Sequence, residues 1–209
     1  MSSTASASVF VVDDDAEVRA AMQRLLKTVG LHAEAFASAR DFLQRSKPQG
    51  PSCLILDVRL PGMSGLDVQR KLVSAGINLP IIFITAHADV PLAVRAMKSG
   101  AVEFLTKPVR GQDLLDAVEQ ALQRDEVMRQ EQSDVAALQE RYTSLTKRER
   151  EVMGLLVCGM QAKTIASNLG MSEVTVAVHR GRVMRKMRAG SPVELGRMGE
   201  KLKLPRDNS

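Results

Sequence analysis

Four short, largely apolar runs each end on polar residues, and this repeated arrangement restricts the chain more than any other feature. Val9-Phe10-Val11-Val12 leads into Asp13, Asp14 and Asp15, and Cys53-Leu54-Ile55-Leu56 leads into Asp57. Pro80-Ile81-Ile82-Phe83-Ile84 leads into Thr85-Ala86-His87, and Val102-Glu103-Phe104-Leu105 into Thr106-Lys107-Pro108. Continuous apolar runs of this length are too short for most helices and predict strands buried on both faces. A weakly alternating segment, residues 31–36, predicts a fifth strand. Between the strands the apolar spacing turns helical. Val18, Met22, Leu25, Leu26 and Val29 run to a stop at Gly30, and Ser38 caps a short helix to about Ser46. Leu66, Val68, Leu72 and Val73 run to Gly76, and Val94 and Met97 mark a helix over residues 90–99. Five strand–helix units predict an α/β domain with an all-parallel, doubly wound, five-stranded sheet. Chemistry in such sheets collects outside the carboxyl ends of the strands, so Asp13, Asp14, Asp57, Thr85 and Lys107 are expected at one edge.

Those residue types suit one chemistry. Crowded carboxylates repel each other unless a cation or a lysine lies among them. Asp13, Asp14 and Asp57, with the backbone carbonyl of Arg59, form a hard-oxygen set for a divalent cation such as Mg2+. Lys107 supplies an ammonium and Thr85 a hydroxyl donor. A carboxylate nucleophile surrounded in this way is suited to receiving a phosphoryl group. Taken singly, the acidic triplet reads as a solvated helix start, with Asp15 serving only that purpose.

A long helix starts near Gln112 and continues through residues 125–142. Ala121, Met128, Val135 and Tyr142 fall seven apart, with Leu138 and Leu145 as companions, but Glu131 interrupts the seam. The pattern predicts a two-stranded coiled coil, a stripe on a neighbouring domain, or a polar linker helix without a partner. Thr146 and Glu149 then have capping-box spacing before Val152, Leu155, Leu156 and Val157. Residues 163–169 predict a short helix ended by Gly170, and Ser172 caps a third over Glu173–Met187, with Val174, Val178, Val183 and Met187 as its apolar stripe. Pro192 opens a fourth, and the last five residues are expected to be loose.

Composition narrows the function classes. Residues 1–124 carry a net charge of +1, residues 125–142 a net −3 and residues 143–209 a net +7, so only the last part is expected to meet a polyanion. Aromatics are 3% of the chain with no tryptophan, which argues against a carbohydrate or single-strand stacking surface. No apolar run approaches the ~18 residues that span a bilayer, and residues 1–8 do not have the pattern of a signal peptide. Cys53 and Cys158 sit in separate apolar runs and are expected to be buried, unpaired thiols in a reducing, cytoplasmic compartment.

Val12-Asp13-Asp14, Leu56-Asp57 with Pro61-Gly62-Met63-Ser64-Gly65, Thr85-Ala86 and Lys107-Pro108 together resemble the receiver domain of two-component response regulators, a flavodoxin-like fold. The resemblance covers residues 9 to about 124 and implies phosphorylation of Asp57 by a sensor histidine kinase with Mg2+ bound. It further implies Asp13 and Asp14 as the acidic metal pair and a ligating carbonyl at Arg59. Thr85 and Lys107 become phosphoryl contacts, with Ala86 beside them, a cis peptide precedes Pro108, and Phe104 takes the aromatic switch position.

Residues 146–188 are similar to the LuxR-type helix-turn-helix through Leu145-Thr146-Lys147-Arg148-Glu149-Arg150-Glu151-Val152, Lys163-Thr164-Ile165-Ala166, Leu169-Gly170-Met171-Ser172, Thr175-Val176, Val178-His179 and Lys186-Met187. The two modules in this order resemble the NarL/FixJ family, closest to its FixJ branch. The expected division is a receiver over residues 1–124, a helical linker over 125–142 and an all-α, four-helix DNA-binding domain over 143–209. That family implies a bacterial, cytoplasmic transcription factor, dimeric when phosphorylated, with double-stranded DNA and RNA polymerase as partners. Expected DNA contacts are Thr175, Val176, Ala177, His179, Arg180, Arg182, Arg185 and Lys186, with Val178 packing. Ala177 stands where relatives often carry lysine, which leaves open that the output helices grip a protein or RNA. A phosphatase using Asp57 would want a second carboxylate two residues on, where Arg59 has the wrong charge.

Overall fold

The structure is a computed structural model describing residues 7–46, 48–87 and 89–204; residues 1–6, Lys47, Ala88 and the last five, 205–209, which were expected to be loose, lie outside the described residues. The first unit alternates β1 (Ser8–Val12), α1 (Ala16–Thr28), β2 (His32–Phe36), α2 (Ala39–Gln44), β3 (Ser52–Asp57), α3 (Gly65–Ser74), β4 (Ile81–Thr85), α4 (Val90–Lys98) and β5 (Glu103–Thr106). A 33-residue helix, α5 (Gly111–Thr143), follows, and then α6 (Lys147–Val157), α7 (Ala162–Leu169), α8 (Glu173–Met187) and α9 (Pro192–Lys201).

The five strands form one parallel sheet in the order β2-β1-β3-β4-β5. Successive strand side chains point to opposite faces, and the two cores divide accordingly. Phe10, Val12, Leu54, Leu56 and Phe83 pack with Phe42 of α2, Val68 and Leu72 of α3 and Ala96 of α4. Val9, Val11, Ile55, Ile82 and Ile84 pack with Met22 and Leu26 of α1 and Leu114, Val118 and Ala121 of α5. Both faces are therefore covered, as continuous apolar strands require.

Several finer expectations are corrected. α2 ends at Gln44 because Arg45 turns back to stack on the rings of Phe10 and Phe42, at 4.0 and 4.2 Å. Val73 points outward. Cys53 is buried, whereas Cys158, which ends α6, is only half-buried; both are free.

Helix α5 does not leave the first unit at residue 124. Asp125, buried, accepts from the Ser52 backbone N–H at 2.8 Å and from Arg129 Nε at 2.5 Å, and Arg129 also reaches the Ser52 hydroxyl at 3.2 Å. Contacts divide the chain between Arg129 and Gln130. Residues 130–136 are exposed all round, so within the chain the expected seam has no partner there. In the second unit, Leu138 and Tyr142 of α5 pack with Leu145, Met153, Val183, Met187 and Leu195, and a smaller core joins Val152, Ile165, Ala166 and Val176. The caps expected at Thr146 and Ser172 form, the first as a reciprocal capping box with Glu149, and Gly170 turns the chain at φ 61°. Among the described residues no helix is long and apolar enough to cross a membrane.

Candidate functional site

The carboxyl ends of β1, β3, β4 and β5 bring Asp13, Asp57, Thr85 and Lys107 together. Asp13, Asp57 and Thr85 are buried and Asp14 is exposed. The Lys107 ammonium lies 2.5 Å from Asp57 Oδ2 and 2.7 Å from Asp13 Oδ2. Asp57 Oδ1 accepts from the Arg59 backbone N–H at 2.8 Å, and Asp13 Oδ1 from that of Asp15 at 3.0 Å. Burial pushes the Asp13 carboxyl above the usual carboxylate range, and Lys107 offsets only part of that. Burial also works against the charge on Lys107, but the two carboxylates outweigh it and hold the ammonium above the ordinary lysine value.

Three local features hold this edge in place. The Lys107-Pro108 peptide is cis, and the Lys107 backbone N–H donates to the Thr85 carbonyl at 2.8 Å. Asp15 caps α1 by accepting from the N–H groups of Glu17 and Val18, which separates its role from those of its two neighbours. Gly65 packs so closely under β3 that an added Cβ would stand 2.5 Å from the Asp57 carbonyl oxygen, so only glycine fits. The sequence placed Gly65 only at a helix start; nothing in spacing alone signals a contact between helix backbone and strand backbone. Thr85 Oγ1 exchanges contacts with His87, accepting from its N–H at 3.2 Å, while Ala86 is exposed. Phe104 is half-buried, its ring 6.4 Å from that of Phe83.

In the second unit, α8 follows α7 across the Gly170 turn, the arrangement of a helix-turn-helix. Thr175, Ala177, Arg180, Arg182 and Arg185 are exposed, and His179 is half-buried with Nδ1 lacking a partner. The roles expected for two valines are exchanged. Val176 is fully buried against Ile165 and Val152 and cannot reach DNA, whereas Val178 is 48% exposed and Val174 75%. A stripe through Val174 and Val178 lies on the side of the helix opposite its core, which runs through Val176, Val183 and Met187. Lys186, expected at the DNA, is engaged within its own unit. Its ammonium is held by the buried Glu149 at 2.6 Å and by the Ser144 carbonyl at 3.3 Å, tying α8 to the start of α6.

Comparison with known proteins accounts for both units. Residues 9–119 match the response regulator receiver domain family, and residues 143–199 match the bacterial regulatory proteins of the luxR family. Nodulation protein W of Bradyrhizobium diazoefficiens is 52% identical over 94% of this chain and 86% of its own length. FixJ of Azorhizobium caulinodans is 42% identical over 92% of each chain. Among solved structures, response regulator StyR superposes with a TM-score of 0.82 at 46% identity, covering 94% of this chain and all of its own. The chain is a two-component response regulator of the NarL/FixJ type.

As a response regulator it is a DNA-binding protein, not an enzyme in the ordinary sense; phosphorylation of an aspartate by a sensor kinase controls its action on transcription, and dimerisation is part of that control. The site fits the Mg2+ that a receiver uses. Ligand oxygens of Asp13, Asp14 and Asp57 all lie within 4.8 Å of one another. Asp13 Oδ2 is buried, and its one close polar neighbour is the Lys107 ammonium at 2.7 Å, which Asp57 shares. A hard cation satisfies such an oxygen and relieves the repulsion among the carboxylates.

Proposed function

We propose that Asp57 is the phosphoacceptor of this regulator, and the observation that carries the assignment is its position. It ends a buried strand, with one oxygen on Lys107 and the other on the Arg59 N–H. A carboxylate oxygen of Asp57 forms the new P–O bond as the P–N bond to the kinase histidine breaks, and the imidazole leaves with the electron pair. Lys107 neutralises the phosphoryl oxygens. Asp13, Asp14, Asp57 and the Arg59 carbonyl hold Mg2+, which supplies further positive charge to those oxygens when bound.

The added charge of about −1.5 to −2 draws Thr85 from His87 toward the phosphoryl group. Phe104, half-buried beside Phe83, then has room to turn inward; lacking a hydroxyl, it covers apolar surface without a new hydrogen bond. That movement reshapes the face of α4 and β5, where Val90, Val94 and Met97 are exposed, and pairing across this face brings two basic units onto DNA. The working division remains a receiver over residues 1–124, a linker over 125–142 and a DNA-binding domain over 143–209, with Asp125 and Arg129 anchoring the first turn of that linker. Thr175, Ala177, Arg180, Arg182 and Arg185 face the DNA, and RNA polymerase is the partner at the promoter. Intact-mass analysis after incubation with Mg2+ and a small phosphoryl donor tests the acceptor. One phosphoryl group is expected on the wild type and none on Asp57→Ala; equal labelling of the variant would contradict the assignment.

A further inference from the structure

The outward face of α8 is apolar from Val174 to Gly181, where a DNA-reading helix commonly carries donors, and only Arg185 at its far end is charged. At about 100° per residue, Val174, Val178, Gly181 and Arg185 fall within an arc of about 60° opposite the buried Val176, Val183 and Met187. Ala177 and Arg182 flank that arc on its two sides, and Arg180 lies beyond Ala177. From Val174 to Gly181 the strip runs about 10 Å, the length of about three base pairs. After Glu173 the helix carries no acidic residue. Gly181 answers to no packing need inside the chain: a Cβ there would meet nothing within 4 Å. A glycine in a helix interior is unfavourable, and this one leaves the backbone open to close approach from outside.

The side chains of Val174, Ala177 and Val178 neither donate nor accept hydrogen bonds. Seated against a base edge rich in donors and acceptors, they would strip water from those groups and replace it with nothing, which is costly. The one apolar group that a base pair displays in the major groove is the thymine C5-methyl. We infer that this regulator reads its site through thymine methyl groups, with Val178 as the principal contact and Arg180 and Arg182 holding the phosphate backbone on the two flanks. The inference rests on the reading of α8 as the helix in the groove.

Replacing thymine by uracil in the duplex removes only that methyl. The full-length phosphorylated chain would first select its preferred duplex from a random library, and single thymine-to-uracil exchanges would then be made along each strand. Removing one buried methyl is expected to weaken binding about three- to fivefold at one or two positions of the half-site. Val178→Ala, at an exposed position, should fold normally, bind the all-thymine site more weakly and lose the sensitivity at those positions. Uracil exchanges without effect on a site that is still bound selectively would overturn the methyl reading and leave α8 in the groove. Undiminished sensitivity in Val178→Ala would overturn it too, by assigning the effect to the duplex. A library that yields no preferred duplex would overturn both the inference and the placement of α8 in the groove.

Discussion

Asp13 carries more of the electrostatic strain at the acceptor site than its neighbours. Its carboxyl is held above the usual range by burial, so at neutral pH its charge works against the folded state. A raised carboxyl favours folding below the ordinary carboxylate range, and that advantage is lost as pH rises through the folded value. Asp13→Asn keeps an oxygen for the Asp15 N–H and removes the charge. Without Mg2+ the variant is expected to melt higher, by about 2–4 °C for each kcal/mol relieved in a chain of this size. With Mg2+ the wild type should rise, by about 2.7 kcal/mol at a hundred times its dissociation constant, while the variant gains little. Thermal melts with and without Mg2+ read both effects, and an equal Mg2+ shift in the variant would remove Asp13 from the metal set. The site residues Asp13, Asp57, Thr85 and Lys107 were legible in the sequence because each ends an apolar run. Gly65 was not, because a tight contact between two backbones leaves no trace in hydropathy.

Among the elements, the strands were read almost to the residue and α8 was read with its faces misassigned. A buried strand in a parallel sheet announces itself by continuous apolar character. A helix with valines at 174, 176 and 178 offers two apolar stripes, and only the positions of Ile165 and Val152 decide which is core. The same limit hid Lys186, since a basic residue near the end of a recognition helix looks like a phosphate contact until Glu149 is found beneath it. Lys186, above all other groups, holds the Glu149 carboxyl below its ordinary value through its hydrogen bond. A depressed carboxyl contributes stability above its unfolded pKa, near 4.3 for a free glutamate, and that contribution disappears as pH falls through the lower folded value. Lys186→Met should therefore cost about 1–3 kcal/mol at neutral pH and flatten the acid dependence in that window. Tyr142, the one tyrosine in the chain and part of this core, reports the unfolding by its fluorescence. DNA binding by the variant should keep its salt slope; a slope lower by about one unit would return Lys186 to the phosphate contacts.

At the scale of the whole molecule, the first unit gathers an acceptor, a cation site and an ammonium at one sheet edge, and the second presents basic side chains around an apolar strip. The sequence foresaw both units and the helix between them. It did not foresee that α5 stays bound to the first unit as far as Arg129, because the anchoring group, Asp125, lies 73 residues from Ser52 and has no pattern linking the two. Phosphorylation links the two units: a phosphoryl group on Asp57 is proposed to strengthen DNA binding by making two copies pair. Coupling between sites in regulated proteins is typically worth about 5- to 150-fold in affinity. The most direct test is the affinity of the full chain for its selected duplex with and without a small phosphoryl donor and Mg2+, for the wild type and Asp57→Ala. The expected result is a gain of about that size for the wild type, with two chains per duplex, and no gain for the variant. A wild-type affinity that the donor leaves unchanged, or a gain that Asp57→Ala shares in full, would contradict the account.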